Sequence, residues 1–230
     1  MEKYLSIITN FGCHGKCPYC ITRENGIKVP KTTLAGLDDL REALKKTNST
    51  IISISGGGDP LHEYEKHVDW YRKLFAIIDD CHPYGIKEHI PLEMHTSYMT
   101  EESTFPFYDC KRVVYHPNTY EQLKHIHRTG KEIVRAVFVV TEDFTLEQIM
   151  DIALFVENSK EIDELSFRQL VNKNYEITHY WQDILSLGHK KLWHYIEQKD
   201  YNIYYAEGKL YTEFSKIGEE AAIVEQTGNN

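Results

Sequence analysis

The 230-residue chain has no run of the ~20 consecutive apolar residues that a membrane-crossing helix needs. Its first residues do not show a charged stretch followed by an apolar signal core either. A cytoplasmic location with no membrane partner is expected. A basic surplus is also missing, because 26 Lys and Arg stand against 35 Asp and Glu, for a formal charge of -9. On average such a surface repels a phosphate backbone, which disfavours nucleic acid as a partner. Two local basic runs, Lys124 to Arg128 and His189 to Lys191, are expected to lie on solvated faces. No internal repeat, low-complexity tract or Pro/Ser-rich linker interrupts the chain, so a single domain over 1–217 is expected. Its core would span about 4–170, with a capping segment over 171–217 and a disordered tail over 218–230.

Cysteine is scarce and unevenly placed. Of five cysteines, three fall within eight residues, whereas Cys81 and Cys110 stand alone. In a reducing compartment that clustering reads as a metal site rather than a disulfide framework. No cysteine follows residue 110, so a second three-cysteine cluster is excluded.

What is present is an alternation of periods. Short β-branched or apolar runs at Tyr4–Thr9, Thr50–Ser55, Leu92–Thr96, Arg112–Tyr115, Ile133–Val140 and Glu164–Leu170 predict six strands. Between them lie helical stripes, such as Val68, Tyr71, Phe75 and Ile78, or Leu146, Ile149, Ile152, Ala153 and Val156. Thr145 with Gln148 and Thr119 with Gln122 fit the capping-box pattern, and Thr33 is placed as the cap of the first helix. Alternating βα units imply an α/β fold with a mostly parallel sheet and right-handed crossovers, either curled toward a barrel or open. Either way, function is expected at the C-terminal ends of the strands. Beyond residue 170, Trp181 to Tyr195 reads as helical and Tyr201 to Phe214 as a strand or hairpin turning at Gly208.

The strongest chemical signal is Cys13-His14-Gly15-Lys16-Cys17-Pro18-Tyr19-Cys20, on the loop after the first strand. Three thiolates can hold three irons of a cubane, and with no obvious fourth cysteine one iron stays open to an exchangeable ligand. Structural zinc remains open on spacing alone, and would take its fourth ligand from His14, Cys81 or another of the twelve histidines.

The segment Thr9 to Cys20, with an aromatic residue just before the third cysteine, resembles the signature of the radical S-adenosylmethionine (radical SAM) superfamily. Ser55-Gly56-Gly57-Gly58-Asp59-Pro60, after the second strand, resembles that superfamily's Gly-Gly-Glu-Pro segment, with Asp59 where Glu is usual. The resemblance covers residues 4 to 170 and implies a partial (βα)6 TIM-like barrel, in a minimal single-cluster member without an auxiliary-cluster extension. It implies a [4Fe–4S] cluster on Cys13, Cys17 and Cys20, S-adenosylmethionine as cofactor, and a flavodoxin- or ferredoxin-type electron donor. Tyr19, Gly57, Gly58, Asp59, Thr96, Ser97, Tyr115, Arg135 and Arg168 are the residues it places near S-adenosylmethionine. Cys81 and Cys110 are candidate hydrogen-atom donors, with an ordinary buried thiol as the alternative. The implied activity is reductive cleavage of S-adenosylmethionine and hydrogen abstraction from a small molecule, nucleotide or peptide. Two alternatives stand beside it: activation of a glycyl-radical protein, and a non-catalytic cluster- or zinc-binding module.

Overall fold

A computed structural model describes residues 3–81, 90–99, 110–130, 132–172, 174–188, 192–196 and 202–219. The six predicted strands form where the apolar runs place them: β1 Tyr4–Thr9, β2 Ile51–Gly56, β3 Leu92–Thr96, β4 Arg112–Tyr115, β5 Ile133–Val140 and β6 Glu164–Gln169. Each pairs in parallel with the next. Three further strands extend the sheet, β7 His194–Ile196, β8 Ile203–Ala206 and β9 Lys209–Tyr211. The full order is β7-β6-β5-β4-β3-β2-β1-β8-β9, all parallel except β9.

The helical stripes pack against one face of this sheet. Helices α1 Ile21–Glu24, α2 Leu40–Thr47, α3 Val68–Asp80, α4 Tyr120–Leu123, α5 Leu146–Asn158 and α6 Gln182–Leu185 intervene between strands. The main core joins Leu40 and Leu44 of α2, Tyr71 and Leu74 of α3 and Ile149 and Val156 of α5 to one alternating set of strand residues: Leu5, Ile7, Ile52, Ile54, Met94, Val113, Ala136, Phe138 and Phe167. Each large aliphatic side chain so buried contributes about 1.5–3 kcal/mol. The Thr145 box forms completely, whereas Thr119 accepts from Gln122 N and Gln122 returns its side chain to Asn118 N. Thr33 does not cap the first helix, α1, whose N-cap is Cys20; its Oγ1 accepts from Gly36 N in the 3₁₀ turn Ala35–Leu37, whose N-cap is Leu34. Of the basic runs, Lys124 and His125 are exposed, while His189 to Lys191 lie outside the described residues.

The sheet is open at β7 and β9, yet strongly curved. Arg168 on β6 and Tyr204 on β8 sit six places apart in the strand order, about 29 Å in a flat sheet. They are nonetheless close enough for Tyr204 to influence the ionisation of Arg168.

Two expectations change beyond residue 170. The helical reading of Trp181 to Tyr195 holds only over Gln182–Leu185, and His194–Ile196 is a strand beside β6. A three-residue edge strand is too short to show a period of two. The hairpin over Tyr201 to Phe214 does form, with Glu207 (φ 46°) and Gly208 (φ 79°) in the left-handed turn that suits two-residue hairpin loops. It joins the edge of β1. Of the tail, residues 220–230 lie outside the described residues.

Candidate active site

Because β1 to β8 run parallel, the loops that follow them gather at one end of the sheet. The cysteine loop leaves β1 there and is held against the glycine loop that leaves β2. Gly57 N donates to Thr9 O at 2.8 Å and Asp59 N to Gly12 O at 2.8 Å. A side chain on Gly58 would overlap the carbonyl of Gly12, so this approach requires glycine. Gly12 itself has φ 114° and carries the ring of His62 where a Cβ would point. Sequence reasoning had no periodic or motif signal for His62.

Cys13, Cys17 and Cys20 are all free thiols; Cys13 is exposed and the other two are half-buried. The Sγ atoms of Cys17 and Cys13 flank Gly15, at 3.6 and 3.7 Å from where its Cβ would stand. Burial raises the Cys13 pKa, and Asp59, Cys17 and Cys20 add to the rise against an opposing hydrogen bond from the Gly15 backbone. All four groups therefore share one electrostatic neighbourhood. Cys20 Sγ lies 3.1 Å from Thr22 Oγ1, and Arg23 holds the carbonyl of Cys17. Tyr19 donates to Asn118 Oδ1 at 2.5 Å, tying the loop to the segment after β4, and burial raises its phenol pKa.

Asp59 is 3% exposed and joins three strand ends. Its Oδ1 accepts from Leu61 N at 2.9 Å and Thr96 Oγ1 at 2.8 Å, and its Oδ2 accepts from Ser97 N at 2.6 Å. With about four lone-pair directions on a carboxylate, one stays free on Oδ2. Thr96, Ser97 and Asp59 are thus brought together beside the cysteine loop. Tyr98, next along, meets His14 edge-on at 4.9 Å.

Other sequence candidates lie elsewhere. Tyr115 is buried in the helix-side core, where burial raises its phenol pKa. Arg135 sits near the start of β5, at the opposite end of the sheet, bonded through Nε to Glu164 Oε2 at 2.6 Å. Cys110 is buried in the same core as Tyr115, and Cys81 packs on it beside Arg41 and Lys45 of α2. Neither lone cysteine is brought to the cysteine loop.

Arg168 lies near the end of β6, on the helix-free face. There His95 and His116 stack with ring centroids 5.3 Å apart and Nδ1 to Nε2 at 3.0 Å. Burial lowers both imidazoles, His116 to about 3, and the charge of Arg168 adds to both shifts.

No protein-family model and no curated protein matches the chain. Among solved structures, SuiB of Streptococcus suis bound to precursor peptide SuiA matches with a TM-score of 0.57 at 14% identity. The chain therefore shares the fold of that part of SuiB. The match covers 100% of this chain and 62% of SuiB, so the chain spans under two thirds of that relative's length.

The resemblance of the Thr9 to Cys20 segment to the radical SAM signature makes an iron–sulfur cluster the group to test against the cysteine loop. Three free thiols on one loop are the soft donor set such a cluster takes. Among the described residues, no three or more His, Cys, Asp or Glu side chains are arranged as around a single ion. The residues fit the cluster.

Proposed function

We infer that this chain is a radical SAM enzyme, with Cys13, Cys17 and Cys20 as the cluster ligands. The single observation that carries this reading is the docking of the three-thiol loop onto the Gly57-Gly58-Asp59 loop at the C-terminal end of a curved parallel sheet. That curvature supports a partial (βα)6 barrel whose mouth is the same end.

Held by Cys13, Cys17 and Cys20, a [4Fe–4S] cluster would supply the one-electron reduction of S-adenosylmethionine that starts hydrogen abstraction from the substrate. The chain's own residues bind and orient. Gly57 and Gly58 leave room for Val29 and the Gly12 carbonyl and so set the loop's path, and the free Oδ2 direction of Asp59 is suited to an ammonium group. Thr96 and Tyr19 are fixed by hydrogen bonds to Asp59 and Asn118, so the pocket wall is set before ligand enters. A flavodoxin- or ferredoxin-type protein is the expected electron source. Among small-molecule, nucleotide and peptide substrates, the peptide bound to SuiB favours a peptide.

Anaerobic reconstitution with iron and sulfide tests the reading. About four irons per chain, and 5′-deoxyadenosine on adding S-adenosylmethionine and dithionite, are expected. Cys13→Ala, Cys17→Ala or Cys20→Ala should abolish iron retention and Cys81→Ala should not. A stable cluster without S-adenosylmethionine binding would favour a non-catalytic module. Hydrogen loss from a glycine of a partner protein would favour an activating enzyme.

A further inference from the structure

The helix-free face of the sheet holds a second polar constellation, deeper than the loops just described. At its N-terminal end, Arg112 pairs with Glu93 and lies 3.3 Å from Glu164, and Arg135 reaches Glu164 at 2.5 Å. Three arginines thus share a face with two carboxylates, and the third, Arg168, is left over. Among the described residues Arg168 forms no ion pair, and its buried Nε has no hydrogen-bond partner. Two positions earlier on the same strand face, Ser166 is 0% exposed with its Oγ equally unpartnered. Beside them stands the His95–His116 pair, each imidazole within the electrostatic reach of Arg168, with His95 Nε2 also 3.9 Å from Glu93 Oε2 of the paired network.

A half-buried guanidinium with no ion-pair partner among the described residues and a buried hydroxyl without a partner both cost stability. A fold keeps such groups where a ligand completes them. We propose that Arg168, Ser166 and the His95–His116 pair receive a carboxylate of the substrate. The guanidinium offers the charge and a planar donor fork, the Ser166 hydroxyl a further donor, and whichever imidazole nitrogen carries hydrogen a third. One uncompensated positive charge matches a monoanion, whereas a phosphate dianion would leave a buried negative charge in its place. Position supports the assignment, because Arg168 and His116 stand at the strand ends where the cysteine loop also lies. The proposal deepens the radical SAM reading by naming the substrate class, an acidic side chain or chain terminus of a peptide or a small carboxylic acid.

The test uses the full chain, both as purified and after cluster reconstitution, titrated with benzoate, benzamide and inorganic phosphate. The readout is the imidazole NMR signals of His95 and His116. Benzoate should shift both signals and benzamide neither. Arg168→Gln should weaken benzoate at least about tenfold, as loss of a charge-assisted contact does, and Ser166→Ala should weaken it less. Equal response to benzamide, tighter binding of phosphate than of benzoate, or unchanged binding in Arg168→Gln would overturn the proposal. In the reconstituted protein, benzoate and S-adenosylmethionine should bind together. Mutual exclusion would assign Arg168 to the cofactor's own carboxylate and likewise overturn it. Benzoate binding without any cluster would sustain the site while the radical SAM reading failed, so the two stand or fall separately. Acetylated peptides ending in Asp, compared with the same peptides amidated and carrying Asn, then separate a peptide source from a small acid.

Discussion

The two ends of the helix-free sheet face treat their arginines in opposite ways. At the N-terminal end Arg112 is 15% exposed and held by Glu93 and Glu164. Burial works against its charge, but the two carboxylates more than reverse this, and its pKa rises. Tyr4 adds a hydrogen bond to Glu93 at 3.2 Å, so the network also ties β1 to β3. At the C-terminal end burial lowers the pKa of Arg168, and no carboxylate among the described residues offsets it. The difference separates an end built for stability from an end that waits for ligand, as in α/β folds whose chemistry sits at the strand C-termini.

The contrast can be broken most severely at the paired end. Arg112→Met leaves the buried Glu93 without its cation, while Glu164 keeps Arg135, and is expected to cost about 3–5 kcal/mol in urea unfolding. A loss below about 1 kcal/mol would mean that the network is no more than a surface pairing. Next in size is Asp59→Ala, which strips the acceptor from Leu61 N, Thr96 Oγ1 and Ser97 N. About 2–4 kcal/mol is expected in the same measurement.

The histidine pair sharpens the comparison through pH. Above pH ~6.5 His116 is neutral both folded and unfolded. As pH falls from there toward about 3, the unfolded chain binds the proton and the folded chain does not, so stability drops. The slope is up to about 1.4 kcal/mol per pH unit for each such imidazole. His116→Gln should flatten that slope in acid unfolding curves; an unchanged slope would assign it to other groups. The smallest expected effect is the most telling: Arg168→Met should leave stability unchanged or raise it by about 1 kcal/mol, since it removes a buried charge without orphaning a partner. A loss as large as that of Arg112→Met would erase the contrast between the two ends.

Much of the architecture was legible because strand and helix periods are local. The runs Tyr4–Thr9, Leu92–Thr96, Arg112–Tyr115 and Ile133–Val140 coincide with β1, β3, β4 and β5 residue for residue, and the Thr145 box closes as its spacing requires. The cysteine and glycine loops were legible as motifs, but not their contact. The overlap of Gly58 with Gly12 depends on two loops meeting in space. The Glu93–Arg112–Glu164–Arg135 network was invisible for a similar reason, since sheet register alone sets Arg112 beside Glu93 and Arg135 beside Glu164. Arg135 was expected near the cofactor, and its pairing with Glu164 is what the sequence did not show.

The crossover from β7 to β8 has a mechanical consequence. Only residues 197–202 separate Ile196 from Ile203, a tether of about 25 Å at full stretch. Seven strand spacings separate the two strands in the sheet order, about 34 Å if the sheet were flat. Chain length alone therefore holds Ile196 and Ile203 within about 25 Å of each other, so the sheet cannot lie flat with both strands paired in it.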